Sequence, residues 1–269
     1  MRRQSAILIV LLAGAALITS SLTRADSKED DLAKQSQNPL ASLSTVLLEY
    51  NYEDGANDEN VSDHVLNLKP VHPFSLEGGD TVIARAVVPL INLDERASGF
   101  GGESGMGDVN MTAWYVPAPT GDINWGAGPT MTVPSHTNDA LGSDVWTAGV
   151  SFVAVTSPGN WLVGMLVQNQ WDFAGDSDEP DVNQFLFQYF LNYNFESGWY
   201  LTSTPVITAD WEASSDDRWR IPLGGGAGKV IRIGGQAVDL KLQGFKYVSS
   251  ADSAPDWTLQ FQFKLLFPQ

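Results

Sequence analysis

The residue types that catalysis uses are few in this chain, and most of their groupings fail on spacing. Gly102-Glu103-Ser104-Gly105 holds a serine among glycines, but lacks the second glycine at nucleophile-elbow spacing and reads as a loop. The run Gly224-Gly225-Gly226-Ala227-Gly228-Lys229 resembles a phosphate cradle, yet Leu223 and Val230 flank it where that motif needs other residues. Glycines in such a run mark a bend or a close approach of chains. The three histidines, His64, His72 and His136, could act as bases beside Ser62 or Ser135. Their positions assemble no triad, and no enzymatic activity and no cofactor is expected. Asp176, Asp178, Glu179 and Asp181 gather carboxylates that suit Ca²⁺ or Mg²⁺, bridging to lipopolysaccharide phosphates, but without the glycine and distal glutamate of an EF-hand. The plainer reading is a solvated acidic loop.

What remains is a set of charged side chains spaced among apolar ones: Arg85, Asp108, Asp172, Asp210, Arg218, Arg220, Asp239, Lys241 and Lys264. Both signs along one face can set a transverse field in a pore and select solutes by charge and size. Across a narrow interior the same groups can simply pair with one another.

Composition narrows the context. The absence of Cys excludes a disulfide scaffold, a zinc ribbon, an iron–sulfur site and a thiol nucleophile. With 32 acidic against 15 basic residues and a formal charge of −17, nucleic acid is not the partner.

The elements that must position those charges are strands. From Leu43 onward apolar side chains recur at every second position in twelve stretches: 43–53, 61–73, 80–92, 107–117, 123–134, 144–156, 160–173, 183–195, 199–211, 218–232, 236–249 and 256–267. The last is the clearest, with Trp257, Leu259, Phe261, Phe263, Leu265 and Phe267 on one face and Thr258, Gln260, Gln262 and Lys264 on the other. In 236–249 the phase slips near Gly244, where a bulge is expected.

A wide apolar face ending in aromatics points outward to lipid rather than inward to a core. Trp199 and Trp211 share a face at twelve intervals, which at ~3.3 Å per residue and a ~40–45° tilt spans about 28–30 Å of membrane. Trp161 with Trp171, and Trp257 with Phe267, have similar separations and complete an expected aromatic girdle. Short connections near 118–122, 157–159, 196–198 and 234–235 alternate with longer, acidic ones near 93–106, 135–143, 174–182 and 212–217. Short periplasmic turns and long outer loops have this rhythm. The fold expected is therefore all-β, a transmembrane antiparallel up-and-down barrel of about twelve strands over 43–269. A soluble sandwich, with the same faces meeting in one core, is the rival.

Residues 1–25, with Arg2, Arg3, an apolar run from Ala6 to Ile18 and Thr23-Arg24-Ala25, read as a secretory signal peptide. Residues 26–42 form an N-terminal periplasmic segment, helical up to Asn38-Pro39, that either caps the lumen and gates it or is a solvated leader.

The segment 32–39, the run Trp125-Gly126-Ala127-Gly128-Pro129-Thr130, Asn169-Gln170-Trp171 with Phe173-Ala174-Gly175-Asp176, Pro180-Asp181-Val182-Asn183-Gln184, and Asn192-Tyr193-Asn194 through Gly198-Trp199-Tyr200 resemble a family of Gram-negative outer-membrane proteins labelled "neuromedin U". That family is similar to the barrels associated with meta-pathway phenol degradation. The resemblance implies an outer-membrane barrel and uptake of small organic compounds. The chain ends Phe267-Pro268-Gln269 instead of on a terminal aromatic. The expected function is a passive channel or transporter for small, aromatic or hydrophobic solutes in the bacterial outer membrane, in contact with its lipid and lipopolysaccharide. The alternative is a structural or surface-interaction barrel with a side-chain-filled lumen and acidic outer loops.

Overall fold

The computed structural model describes residues 29–55, 61–95, 102–176, 178–249 and 255–268. The proposed signal peptide lies outside the described residues. Helix α1 covers 29–37 and stops at Asn38-Pro39, where proline offers no N–H to continue it. The strands follow: β1 (Leu43–Asp54), β2 (Ser62–Ser75), β3 (Thr81–Asn92), β4 (Ser104–Met106), β5 (Val109–Val116), β6 (Ile123–Val133), β7 (Val145–Thr156), β8 (Trp161–Gly175), β9 (Asn183–Asn194), β10 (Trp199–Ser203), β11 (Val206–Asp210), β12 (Trp219–Ile233), β13 (Gln236–Ser249) and β14 (Trp257–Pro268).

Each barrel strand pairs antiparallel with its sequence neighbours, and β1 pairs with β14 from Leu43↔Pro268 to Asp54↔Trp257, closing the sheet on itself. β10 and β11 both lie between β9 and β12 in one continuous register, so together they make one of twelve barrel strands. The break falls at Thr204 and Pro205, where proline removes a ladder donor. Gln188 Nε2 donates to the Thr204 carbonyl at 3.0 Å, and the Thr204 N–H donates to Gln243 Oε1 at 3.2 Å, so the interrupted backbone is satisfied by inward glutamines. β4 is an extra strand on β3, formed by the long connection read as a plain loop.

The period-2 sorting appears in space. Directly paired residues share a face, so the register of β14 against β1 and β13 sets Thr258, Gln260, Gln262 and Lys264 on one side with Glu49, Asn51, Asp239, Lys241 and Gln243. The opposite side of the same strands carries Trp257, Leu259 and Phe261, exposed by 39%, 43% and 44%. A closed ring of such faces cannot stand against water and requires lipid, so the barrel is a transmembrane one. Trp161, Trp199 and Phe267 face outward at the end with the tight turns, and Trp171, Trp211 and Trp257 at the other. Around them lie ring clusters: Trp161–Tyr193–Phe195 at the first end, and Phe185–Trp211–Trp219 at the second. The tightest turn, Gly234-Gly235, has positive φ at both residues, as a two-residue hairpin needs.

One expectation is corrected. No bulge occurs at Gly244, whose pairings with Gly225 and Leu259 stay in register; the shift in that hairpin falls at Ile221/Pro222. The apparent slip has another cause. Phe245 faces into the barrel, 7% exposed, opposite Gly224, so an apolar side chain occupies an inward position without any change of phase.

Candidate functional site

The inward faces divide the lumen into two halves. Near the tight turns they are apolar: Ile83, Trp114, Val116, Val153, Val155, Leu162, Leu166 and Phe190 pack as one cluster, completed by Leu40 from the segment preceding β1. A second cluster joins Leu43, Tyr200, Val230, Ala237 and Leu266 of the wall to Leu32 and Ala33 of α1. The N-terminal segment therefore lies inside this end of the barrel, with its own apolar residues buried against the wall.

Polar contacts fix α1 in place. Ser36 Oγ donates to Asp239 Oδ2 at 2.8 Å, and Tyr200 Oη donates to Asp239 Oδ1 at 2.6 Å, so one buried carboxylate ties helix to wall. Gln37 and Asn194 exchange amide hydrogen bonds at 2.7 and 3.2 Å. Lys264 Nζ donates to the Ser36 carbonyl at 2.7 Å, a cation satisfying the last turn of a helix. The Gly198 N–H donates to Asp30 Oδ1 at 2.7 Å, and Lys34 Nζ to the Gly159 carbonyl at 3.1 Å, anchoring the helix to two tight turns. The glycine run in β12 has a local purpose: a Cβ at Gly228 would sit 2.2 Å from Tyr200 Cζ, so the bare backbone makes room for that ring.

Above the helix, a cavity of about 160 Å³ is lined by α1, by Glu49, Lys69, Arg85, Asp239, Lys241 and Lys264, and by Trp114, Leu166, Phe190 and Tyr200. Lys69 Nζ donates to Glu49 Oε1 at 2.6 Å, and Gln262 Nε2 donates to Glu49 Oε2 at 2.8 Å. Arg85 stacks its guanidinium 4.8 Å from the Trp114 ring centre, and its Nε has no hydrogen-bond partner among the described residues. Toward the long loops the walls turn polar, and Asn110, Thr132 and Thr147 all donate to Gln170 Oε1.

The sequence-derived candidates do not all fall at one level. Arg85, Asp239, Lys241 and Lys264 meet at the central cavity. Asp172 and Asp210 pair with Thr147 and Gln184 on the inward side near the long loops, where each carboxylate accepts a backbone N–H, from Val182 and Glu212 respectively. Arg220 lies on the same face, 5.7 Å from the Tyr247 ring centre. Asp108 and Arg218 are rim residues, each one position outside its strand. Arg218 turns over the outward Trp211 ring at 5.8 Å. Asp108 is enclosed by the loop between β6 and β7, accepting the N–H groups of Ser135, His136 and Ser143 and the His136 ring Nδ1 at 2.8 Å. Burial works to raise the Asp108 pKa, but those donors together bring it below the usual carboxylate value. His136 is shifted upward, first by the hydrogen bond to Asp108 and then by the charges of Asp108, Asp144 and Asp139. Asp176, Asp178, Glu179 and Asp181 do not converge: Asp176 accepts the Asp178 N–H and Glu179 accepts Ser143 Oγ–H. Among the described residues no three His, Asp or Glu side chains form a metal-holding group.

The strand reasoning missed Glu49 and Lys69, and with them the apolar half of the lumen. A signal for that half was present: 161–167 is a clean apolar run without alternation, as expected for a strand buried on one face and lipid-covered on the other.

On the membrane side, a shallow apolar depression of about 800 Å³ is formed where β1–β3 and β5–β7 carry small or flat residues, among them Pro70, Ala84, Ala86, Ala113, Pro129 and Ala148.

No protein-family model and no curated protein matches the chain. Among solved structures it is similar to the COG4313 outer membrane channel from Pseudomonas putida F1, with 18% identity over 84% of this chain and 96% of that chain and a TM-score of 0.64. At that identity the likeness establishes the barrel fold. A match to CdiB from Acinetobacter baumannii has 9% identity over 85% of this chain and 60% of that chain, with a TM-score of 0.33, and carries no weight.

Proposed function

We propose that this protein is an outer-membrane channel that passes small organic solutes through its lumen, with the segment before β1 acting as the closure at the periplasmic end. The observation that carries this reading is the division of labour in the lumen. A polar upper half leads to a central cavity, and the floor below it is made by a separate, hydrogen-bonded segment that can leave without breaking a barrel pairing. An interior meant only as a scaffold needs no removable floor.

Aromatic or hydrophobic solutes suit the walls better than sugars do, because Trp114, Leu166, Phe190 and Tyr200 line the cavity and an apolar depression lies on the outside of the barrel. The described fold of a channel from Pseudomonas putida F1 supports the same role, as does the resemblance to barrels of the "neuromedin U" and phenol-degradation groups. Residues 1–25 would direct export, and the acidic outer loops would face lipopolysaccharide. The scaffold reading keeps one observation in its favour, the apolar packing of the floor. No catalytic role is proposed: the His136 ring nitrogens face Asp108 and Asp144 at 2.8 and 3.5 Å, with no nucleophile between.

The test is liposome swelling with the purified barrel and a series of neutral aromatic, aliphatic and sugar solutes. Faster swelling with small aromatics than with sugars is the expected result. Liposomes that swell no faster than protein-free controls with any solute would favour the scaffold.

A further inference from the structure

The chain as a whole is strongly acidic, but the charge facing its central cavity has the opposite sign. Four cations, Lys69, Arg85, Lys241 and Lys264, line it against two carboxylates, Glu49 and Asp239. Both carboxylates are already engaged. Glu49 holds Lys69 and accepts from Gln262, and Asp239 has one oxygen taken by Tyr200 and the other by Ser36. Lys264 is occupied by the Ser36 carbonyl.

That leaves Arg85 and Lys241. Neither has a carboxylate within ion-pair distance among the described residues. Lys241 reaches only Thr204 Oγ1, at 3.5 Å, while Arg85 has Thr112 Oγ1 at 3.4 Å, the Trp114 face, and a buried Nε with no acceptor. Cations enclosed by the barrel wall with no directly paired carboxylate favour an anion that pairs with them, and an arginine fork presents donors in the geometry a carboxylate accepts. The same cavity is also lined by apolar and aromatic side chains, Leu166 and Phe190 among them and Trp114 beside Arg85. A cavity of roughly 150 Å³ lined by apolar groups is large enough for a benzene ring, so about 160 Å³ admits a one-ring molecule.

Resting on the channel reading above, we infer that the central cavity is a binding site for small organic carboxylates, with Arg85 and Lys241 as the cations open to the anionic group and Leu166 and Phe190 among the apolar groups that meet the body of the molecule. The acidic outer rim and the cationic cavity then act in series. The rim disfavours anions in general, and the cavity retains those whose apolar part pays part of the entry cost.

The test is calorimetric titration of the detergent-purified full chain with benzoate, with benzamide as the ring lacking a charge and inorganic phosphate as a charge lacking the ring. Benzoate is expected to bind at least about tenfold more tightly than either control, with that preference lost in Arg85→Gln and in Lys241→Met. Heat-modifiable gel mobility checks that each variant still forms the barrel, and two positions on different strands guard against one failing to fold. Equal binding of benzoate and benzamide, equal binding of benzoate and phosphate, or benzoate binding untouched in both folded variants would each overturn the assignment. Liposome swelling with neutral solutes, run in parallel, separates this from the channel reading. Benzoate binding without permeation supports the site and removes the channel, whereas permeation without benzoate preference removes the site and leaves the channel.

Discussion

Replacing Ser36 with Ala tests the floor of the lumen with the least disturbance. Ser36 is 5% exposed and its hydroxyl proton lies between Asp239 Oδ2 at 2.8 Å and the Ala33 carbonyl at 2.9 Å. The substitution removes one hydrogen bond to a charged acceptor and leaves the backbone of α1, the Lys264 contact and the Gln37–Asn194 pair intact. Hydrogen bonds to charged groups contribute roughly 1.5–3 kcal/mol net, and ~1.4 kcal/mol is a factor of ten in an equilibrium, so the docked state should lose about 10- to 150-fold in population relative to the released one. The lower figure is favoured, because Asp239 keeps its donor from Tyr200. Single-channel recording in planar bilayers reads the effect as a rise in the frequency and duration of high-conductance events, while gel mobility confirms an intact barrel. Recordings from Ser36→Ala that match the parent trace would refute the claim that this contact holds a gate.

Other consequences follow from the same geometry. Gly228→Val places side-chain atoms where Tyr200 lies and should cost about 1–3 kcal/mol by overpacking, seen as a lower temperature for the mobility shift on heating. Phe261→Arg puts a charge on the outward face near mid-strand and should cost about 2–4 kcal/mol in bilayer unfolding titrations, whereas Gln260→Arg on the inward face should be tolerated; equal effects would contradict the assigned faces. The loop latched by His136 should depend on pH. Because its folded pKa is raised, that stabilisation is complete below the unbound value of 6.5 and is lost as pH climbs through the folded value. Asp108, lowered instead, contributes above its ordinary value of 3.8 and fails as pH falls, so the latch is tightest between the two. Hydrogen exchange at the Ser135, His136 and Ser143 amides, corrected for intrinsic rate, should show protection falling above pH 6.5, and His136→Ala should abolish that fall.

The strands were legible because membrane barrels sort side chains every second residue, and β14 shows this without interruption from Trp257 to Leu265, before the inward Leu266 breaks the polar face. Legibility failed where both faces are apolar. In β1, Leu43 and Leu47 face inward while Val46 and Leu48 face out, so the phase that would have placed Glu49 in the lumen is blurred. Phe245 misled for a related reason, an inward aromatic accommodated by Gly224 across the pair. Pro205 could be read as a strand breaker, but the glutamines that repair the break come from other strands. The helix at 29–37 was visible from its composition and its stop at Asn38-Pro39, whereas its docking was not. Ser36 and Asp239 are 203 positions apart, and only barrel closure brings them together. Among the charged candidates, alternation gives each of Arg85, Asp239, Lys241 and Lys264 a face on its own strand, but their meeting at one cavity depends on strand tilt and register that no single strand records.

The most direct measurement of the central claim compares conductance in planar bilayers for the chain from residue 26 onward and for the same chain lacking residues 26–42, both verified as heat-modifiable barrels. Removing α1 and Leu40 takes away the floor beneath the central cavity without touching a strand pairing, so a large and steady increase in single-channel conductance is expected. Equal conductance from the two proteins would mean that the segment closes nothing, and that the route for solutes does not run through this end of the lumen.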